Sequence, residues 1–221
     1  MRHHDSLSEQ DTNALLVGID RPFKLGAVTV RGQATASLVS LNGVLYQRQA
    51  QLQGRVSPPL PLPSQYELVL SASLSRVEYL RRTNFDANTG EASALLNYNS
   101  ERSRLQVALG ALYDRGNDAR PGGARQGWYN SVLWQRRVAP AVIGELGFTR
   151  QDWDGERAYS PGLIDLTRHQ STRQLRAAVT RELSRAHSVQ LEYRYIDNQE
   201  NISLFQYNSR VLQLSWRWAG W

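Results

Sequence analysis

Residues 187–221 set the pattern by which the rest of the chain can be interpreted. Apolar side chains occupy every second position from Val189 to Tyr195 and again from Leu212 to Trp218, with polar residues mostly between them. This is the side-chain period of a strand with one buried face. The polar stretch 197–201 between the runs predicts a loop. In each run the aromatic residues gather at one end, which is typical of the girdle of an outer-membrane barrel, although a strand of a soluble sandwich alternates in the same way.

The same alternation recurs along the whole chain and predicts about eleven strands. The run from Leu25 to Leu38 is the clearest of the others, and its length suits a tilted crossing of the hydrocarbon core, which takes roughly 9 to 11 residues. The predicted strands are residues 13–20, 25–38, 44–55, 66–75, 92–98, 104–113, 128–134, 142–151, 171–180, 189–195 and 212–218.

The connections between these strands are predicted to alternate in length. Asn42 and Gly43 are a strong tight-turn signal. Residues 58–63 are rich in proline and predict a stiff turn, because proline cannot donate a ladder hydrogen bond. Short periplasmic turns and long extracellular loops are typical of outer-membrane barrels. The other short turns are predicted at Arg21, Ser100, Arg136 and Ser184, and the mostly long loops begin at Arg81, Gly116, Asp152 and Asp197, the longest running from Asp152 to about Gln170.

These elements favour an all-β fold, an antiparallel up-and-down transmembrane β-barrel of about 10–12 strands in the bacterial outer membrane. Residues 1–221 are expected to form one domain, with residues 1–12 as a polar loop or partial strand. Met1 is followed by polar residues, without the apolar segment of an export signal. An even number of strands is the rule for bacterial barrels. We therefore expect at least one further strand, either upstream of Met1 or within residues 1–12.

Composition narrows the function classes. No run of apolar residues approaches the roughly 18 to 20 that a transmembrane helix needs, which excludes a helical membrane protein. Cysteine is absent, so disulfides, zinc–thiolate sites and thiol chemistry are excluded. The net charge of +6 comes from many arginines and the single lysine Lys24. This bias reflects either a GC-rich genome or an anionic partner, and nucleic acid is disfavoured because the arginines form no run in the sequence.

The alternation also sorts polar and aromatic residues into two candidate sets. Polar side chains in phase with the interior of a barrel would line its lumen and solvate a path or bind cargo. This set is Arg31, Gln33, Gln47, Gln49, Gln51, Gln53, Arg104, Gln106, Arg176, Glu192, Arg194 and Arg217. Aromatic residues in the opposite phase would form the membrane girdle. That set is Tyr46, Trp128, Trp134, Phe148, Tyr193, Tyr195, Trp216 and Trp218.

Motifs for catalysis are absent from the sequence. It contains no nucleophile elbow, zinc-protease motif, P-loop or dinucleotide fingerprint. His169 and His187 fall at opposite ends of one predicted strand, so they are not expected to share a site. We therefore expect no catalytic residue, no metal site and no cofactor.

The C-terminal pattern resembles a known signal. Leu212, Leu214, Trp216 and Trp218 resemble the β-signal that the barrel-assembly machinery reads in outer-membrane proteins, except that three residues follow Trp218. The stretch 193–218, and more loosely 153–173, is similar to barrels that follow periplasmic tetratricopeptide repeats, such as surface lipoprotein assembly modifiers and barrels of exopolysaccharide export systems.

This resemblance implies a non-enzymatic export or translocation channel for a macromolecule, lipoprotein or polysaccharide, as the C-terminal domain of a larger protein. The partners it implies are outer-membrane lipid and lipopolysaccharide, the barrel-assembly machinery and the exported cargo. Nucleic acid is not expected as a partner, because the arginines form no run in the sequence. Two alternatives stay open. One is a small porin or structural outer-membrane barrel, and the other is a soluble all-β binding protein.

Overall fold

A computed structural model describes residues 12–26 and 28–218. These residues form one antiparallel sheet in which the eleven strands follow one another in sequence order. The strands are β1 (Thr12–Leu25), β2 (Val28–Leu41), β3 (Val44–Ser57), β4 (Tyr66–Tyr79), β5 (Ala87–Asn99), β6 (Ser103–Gly116), β7 (Arg125–Ala139), β8 (Val142–Ser160), β9 (Ile164–Glu182), β10 (His187–Glu200) and β11 (Tyr207–Trp218). The predicted all-β, up-and-down architecture is confirmed.

Register fixes which side chains share a face of the sheet, because directly paired residues point to the same side. One row runs through Ala34, Leu52, Leu74, Gly90 and Tyr113 on β2 to β6. On β8 to β11 the corresponding side carries Leu146, Ala177, Tyr193 and Leu212. We call this side the apolar face. The residues between them, such as Gln33, Gln53 and Ser73, belong to the polar face.

Burial on the two faces is the reverse of that in a soluble protein. Leu74 and Leu214, on the apolar face, are 68% and 73% exposed. On the polar face Asn97, Asp114 and Glu200 are only 3–5% exposed. The sheet is therefore curved with its polar face on the concave side, where side chains from neighbouring strands crowd together.

The two ends of the strands differ. Strands β8 and β9 contain 19 residues each, whereas the others contain 12 to 15. At roughly 3.3 Å per residue, their hairpin projects well beyond its neighbours. We call this the hairpin end, and the opposite end, where β11 finishes, the Trp218 end. Strands β1 and β11 both run from the hairpin end to the Trp218 end.

Several predicted connections are wrong because strands continue through polar residues. The turn predicted at Arg21 lies inside β1, and the turn predicted at Arg136 lies inside β7. The long loop predicted from Asp152 to Gln170 is instead the projecting hairpin, with a turn at residues 161–163. The loop predicted at 197–201 is mostly the end of β10. In each case a charged residue occupies a position of the apolar face, so the hydrophobic period is interrupted although the strand continues. These residues are Arg21 in β1, Arg136 in β7, Asp152 and Asp154 in β8, and Asp197 in β10.

Other connections match the prediction in place but less well in length. Asn42 and Gly43 form the predicted tight turn, with φ of 51° and 72°. Residues 58–65 are irregular, as their prolines predict. The connections at 80–86, 117–124 and 201–206 are shorter than predicted or begin later, and two of them contain the 3₁₀ turns Thr83–Phe85 and Ser203–Phe205. Because residues 42–43 and 161–163 are tight turns at the hairpin end, connection length alternates less strictly than predicted.

Closure and the N-terminus bear on the predicted strand number. Within residues 12–26 and 28–218, β1 pairs only with β2 and β11 only with β10, so the sheet is not closed. The prediction for residues 1–12 falls outside the described part of the chain, except that Thr12 begins β1. No helix among the described residues is long and apolar enough to cross a membrane.

Candidate functional site: the polar face of the sheet

All twelve residues of the predicted lumen set lie on the polar face. The four glutamines of β3 pair across the sheet with polar-face residues of β2 and β4, such as Ser37, Thr35 and Ser73. The charged members on β9 and β10 occupy the same face, since Arg176 is opposite Arg194. The structure thus brings the predicted set to one concave surface. It divides that surface into a part rich in amides on β2 and β3 and a part rich in ion pairs on β5 to β10.

The first ion-pair cluster joins strands β7 to β10. Arg176 contacts Glu192 on β10 at 2.8 Å and Glu145 on β8. Arg194 pairs with the other oxygen of Glu192 at 2.5 Å, and Gln135 donates to Glu145. Sequence reasoning named Arg176, Glu192 and Arg194 but missed Glu145, the carboxylate that completes the cluster from the neighbouring strand.

A second cluster lies at the base of the projecting hairpin. Arg168 donates two hydrogen bonds of 2.6 Å to Glu200, whose side chain is 1% exposed. The guanidinium also lies 4.6 Å from the ring centre of Phe205, which packs against Tyr159. The hydrogen bonds from Arg168 to Glu200 raise the pKa of Arg168 above its ordinary value, against the opposing effect of burial. Sequence reasoning missed this cluster because it assigned Arg168 to a loop.

The third cluster surrounds Asp114, near the hairpin end of β6. Arg120 and Arg125 both contact one carboxylate oxygen of Asp114, at 2.9 and 2.5 Å. The loop 117–124 is held against the hairpin by Arg157, which donates to the carbonyls of Asp118 and Arg120. Gly123 takes a φ of +72° and lies against Arg157, so a side chain there would be excluded on both counts. These contacts make the hairpin end a connected polar structure.

Further contacts bridge strands on the polar face nearer the amide-rich part. Tyr129 donates a hydrogen bond of 2.6 Å to Glu91, two strands away. Gln106 donates to Asn97 at 2.7 Å, and Ser57 donates to Glu67 at 2.9 Å. Most carboxylates of this face therefore have a cation or hydroxyl partner. Buried charges that are paired in this way cost less to desolvate than single ones.

The other members of the lumen set are less connected. Arg31 pairs with Asp20 at 2.7 Å and is largely exposed. Gln53 accepts from Arg55 at 3.0 Å. Arg104 and Arg217 are exposed and make no ion pair among the described residues. These positions are open to solvent on the concave side.

Seven of the eight predicted girdle residues lie on the apolar face. Trp216 stacks on His187 with ring centres 5.3 Å apart, near the Trp218 end. Trp128 and Tyr195 lie toward the hairpin end, where Arg150 and Arg210 sit over their rings at 5.3 and 5.9 Å. Tyr46 is the residue of the set that we do not assign to the apolar face. The register of β2 and β3 shifts beside it, and its ring packs on Tyr79.

Ligand groups for catalysis or metal binding are few. No group of three or more His, Asp or Glu side chains in the described part of the chain could hold a metal ion. His169 lies 2.5 Å from Asp154 on the projecting hairpin, and His187 begins β10 at the Trp218 end. The two histidines are at opposite ends of the sheet, as predicted.

Comparisons with known proteins bear on the fold. No protein-family model matches the sequence, and no curated protein matches it. Among solved structures, the chain is similar to the siderophore receptor PirA from Pseudomonas aeruginosa, with 13% sequence identity and a TM-score of 0.52. The match covers 98% of this chain and 40% of the receptor chain.

This likeness supports the fold of an outer-membrane β-barrel. At that identity it concerns the fold alone, and the chain spans about two fifths of the receptor's length. The narrower resemblance to surface lipoprotein assembly modifiers and exopolysaccharide-export barrels stays a prediction.

Proposed function

We propose that the chain is part of a bacterial outer-membrane barrel through which a hydrophilic macromolecule passes without chemical change. The observation that carries this proposal is the reversed burial, with exposed leucines on the convex face and crowded, paired charges on the concave face. Water cannot stabilise so large an apolar surface, whereas lipid can. A soluble sandwich buries its apolar faces against each other, so this pattern disfavours the soluble alternative.

The proposed orientation places the Trp218 end in the periplasm and the hairpin end outside the cell. The projecting hairpin β8–β9 and its polar clusters suit an extracellular position, since they extend beyond a hydrocarbon core of about 30 Å. In this orientation Trp216 and Trp218 belong to the inner girdle. The strand β11 that carries them is the proposed signal for the barrel-assembly machinery.

The amide-rich part of the polar face favours polysaccharide over lipoprotein as cargo. Gln47, Gln49 and Gln51 make no side-chain hydrogen bond to other described residues, and Ser37 and Thr35 lie opposite two of them. Amides both donate and accept hydrogen bonds, as sugar hydroxyls do, and they carry no charge that would retain the chain. A lipoprotein would require an apolar path for its acyl chains, which this face does not offer.

Two measurements test this proposal with the full chain. Membrane placement is tested by fractionation, with the expectation that the protein resists alkaline extraction and migrates faster on gels when it is not heated. Passage is tested by conductance in a planar bilayer with neutral dextran as the probe, which we expect to block the current reversibly. The double variant Gln49→Leu/Gln51→Leu should weaken the block several-fold.

The matched control is Ala50→Leu, which lies on the apolar face of the same strand. It should leave the dextran block unchanged. Recovery of the protein in the soluble fraction would overturn the membrane placement. If dextran does not affect the conductance of the unmodified protein or of the Ala50→Leu control, the polysaccharide path is overturned and a small porin is favoured.

A further inference from the structure

We propose that the apolar face carries a binding site for a lipid with a phosphorylated headgroup, at the hairpin end of strands β4 to β6. This inference rests on the membrane placement proposed above. It joins two neighbouring features of the surface, a small cavity lined by arginine and a large apolar groove.

The headgroup part is formed by Arg76, Asn88 and Arg115. These residues are directly opposite one another on β4, β5 and β6. With strands about 4.8 Å apart, the two arginine Cα atoms are about 10 Å apart, and their long side chains can converge on one phosphate. All three line a cavity of about 210 Å³. In the described part of the chain the side chains of Arg115 and Asn88 make no hydrogen bond or ion pair, and both residues are exposed.

Neighbouring carboxylates do not cancel the positive charge of this cavity. Glu78 is bridged between Arg48 and Arg76, and uses only the Nε of Arg76, at 2.6 Å. Asp86 also lines the cavity, and one of its oxygens accepts the backbone N–H of Tyr79 at 2.7 Å. Among the residues that line the cavity, Arg76 and Arg115 outnumber the single carboxylate of Asp86. Exposed Arg81 and Arg82, in the adjoining loop 80–86, add further positive charge.

The apolar part begins at the next row of residues along the same strands. Leu74, Gly90 and Tyr113 follow Arg76, Asn88 and Arg115 on the same face. A groove there has two overlapping lobes of about 740 and 940 Å³. Its floor is a row of small residues that pair directly across five strands: Gly32, Gly54, Ala72, Ala92 and Ala111.

The two parts form one amphiphilic site, because Arg76 and Asn88 line both the small cavity and the 740 Å³ lobe of the groove. An arginine fork binds phosphate oxygens in a bidentate manner. An acyl chain would lie in the groove with its headgroup at the arginines. A free phosphate or sugar would use only the cavity, and an apolar protein segment would leave the arginines without a partner. In the proposed orientation the headgroup lies at the level of the outer leaflet.

The test measures lipid retention by the full chain in a neutral detergent, by native mass spectrometry. The probes are diphosphorylated lipid A, the same lipid with its phosphates removed, and inorganic phosphate. We expect retention of the phosphorylated lipid, with at least tenfold weaker retention of the dephosphorylated lipid and none of inorganic phosphate. Equal retention of both lipids, or binding of inorganic phosphate alone, would overturn the proposal.

Variants locate the site. Arg76→Gln/Arg115→Gln should reduce retention of the phosphorylated lipid about tenfold or more, while Arg173→Gln, an exposed arginine on the same face of β9, should not. Gly90→Leu should also reduce retention by filling the groove, since a Cβ at this position would lie 3.6 Å from Leu74 and 4.0 Å from the carbonyl oxygen of Tyr113, which are ordinary contact distances. Equal loss in Arg173→Gln would mean that binding is unspecific. Normal membrane fractionation with no lipid retention would overturn this inference but leave the proposed function standing.

Discussion

Tyr129 on β7 donates a hydrogen bond of 2.6 Å to Glu91 on β5, and its ring crosses the intervening strand β6 at Gly110. A Cβ at Gly110 would lie 2.6 Å from Tyr129 Cζ, closer than two carbon atoms can approach. The missing side chain is therefore what allows a contact between strands that are not neighbours. This arrangement links three strands on the concave face.

Gly110→Ala should displace Tyr129 and break its hydrogen bond to Glu91. We expect a loss of about 1 to 3 kcal/mol in the free energy of unfolding, because an inserted methyl group must be accommodated and a partly buried acceptor, Glu91, loses its donor. Urea unfolding followed by tryptophan fluorescence measures this. Gly54→Ala is the control, since a Cβ there meets nothing within 4 Å. An equal effect of both substitutions would contradict the proposed role of the Tyr129 crossing.

Arg176→Met should destabilise the sheet more than Arg194→Met. Arg176 contacts both Glu145 and Glu192, whereas Arg194 contacts only Glu192. Loss of Arg176 leaves Glu145 without a cation among the described residues, and its side chain is only 10% exposed. We expect a difference of about 1 to 2 kcal/mol in unfolding free energy between the two variants. The opposite order would show that Arg194 carries the cluster.

Glu200→Gln should loosen the base of the projecting hairpin. It removes the carboxylate that accepts two hydrogen bonds from Arg168 and receives a third from Asn198. Amide hydrogen exchange should become roughly tenfold faster in residues 164–170 and 198–206, and change little elsewhere. Asp154→Asn is the matched control, because its contact with His169 is more than half exposed. If the exchange rates change equally in both variants, the prediction is wrong, and the hairpin is stabilised by its backbone pairing and not by Glu200.

Leu214→Arg should be costly if the apolar face contacts lipid. Leu214 is 73% exposed on β11. A charged side chain near the bilayer midplane costs about 2 to 4 kcal/mol in a barrel. Unfolding measured in lipid vesicles should show this loss, whereas Gln213→Arg, on the polar face of the same strand, should be tolerated. A negligible effect of Leu214→Arg would indicate that this face is in contact with water.

The phase of each strand could be predicted from the sequence because a period of two is a local property. Leu212, Leu214 and Trp216 fall on one face whatever their neighbours are, and the structure places them there. Strand ends could not be predicted in this way. Between Asp152 and Gln170 the positions of the apolar face carry Asp152, Asp154 and His169, so the hydrophobic period is lost although pairing continues through Asp154↔His169.

The contacts of the candidate site depend on the register between neighbouring strands, and the sequence of one strand alone does not specify that register. Arg176 meets Glu145 and Glu192 because β8, β9 and β10 pair as they do. A shift of one residue would send these side chains to the opposite face. Tyr129 reaches Glu91 only because Gly110 lies between them, and nothing in the local sequence of β7 indicates that. The face on which these residues lie could therefore be predicted, but most of their partners could not.

The common direction of β1 and β11 limits how a closed pore can be assembled. Two copies of this sheet, inserted the same way up, would bring β11 of one beside β1 of the other as parallel strands. Antiparallel pairing with both β1 and β11 instead requires an odd number of additional strands between them, from outside the described residues. The first and the last of these strands must run from the Trp218 end to the hairpin end. Closure of a barrel therefore depends on strands outside the described residues, and its circumference depends on how many strands they contribute.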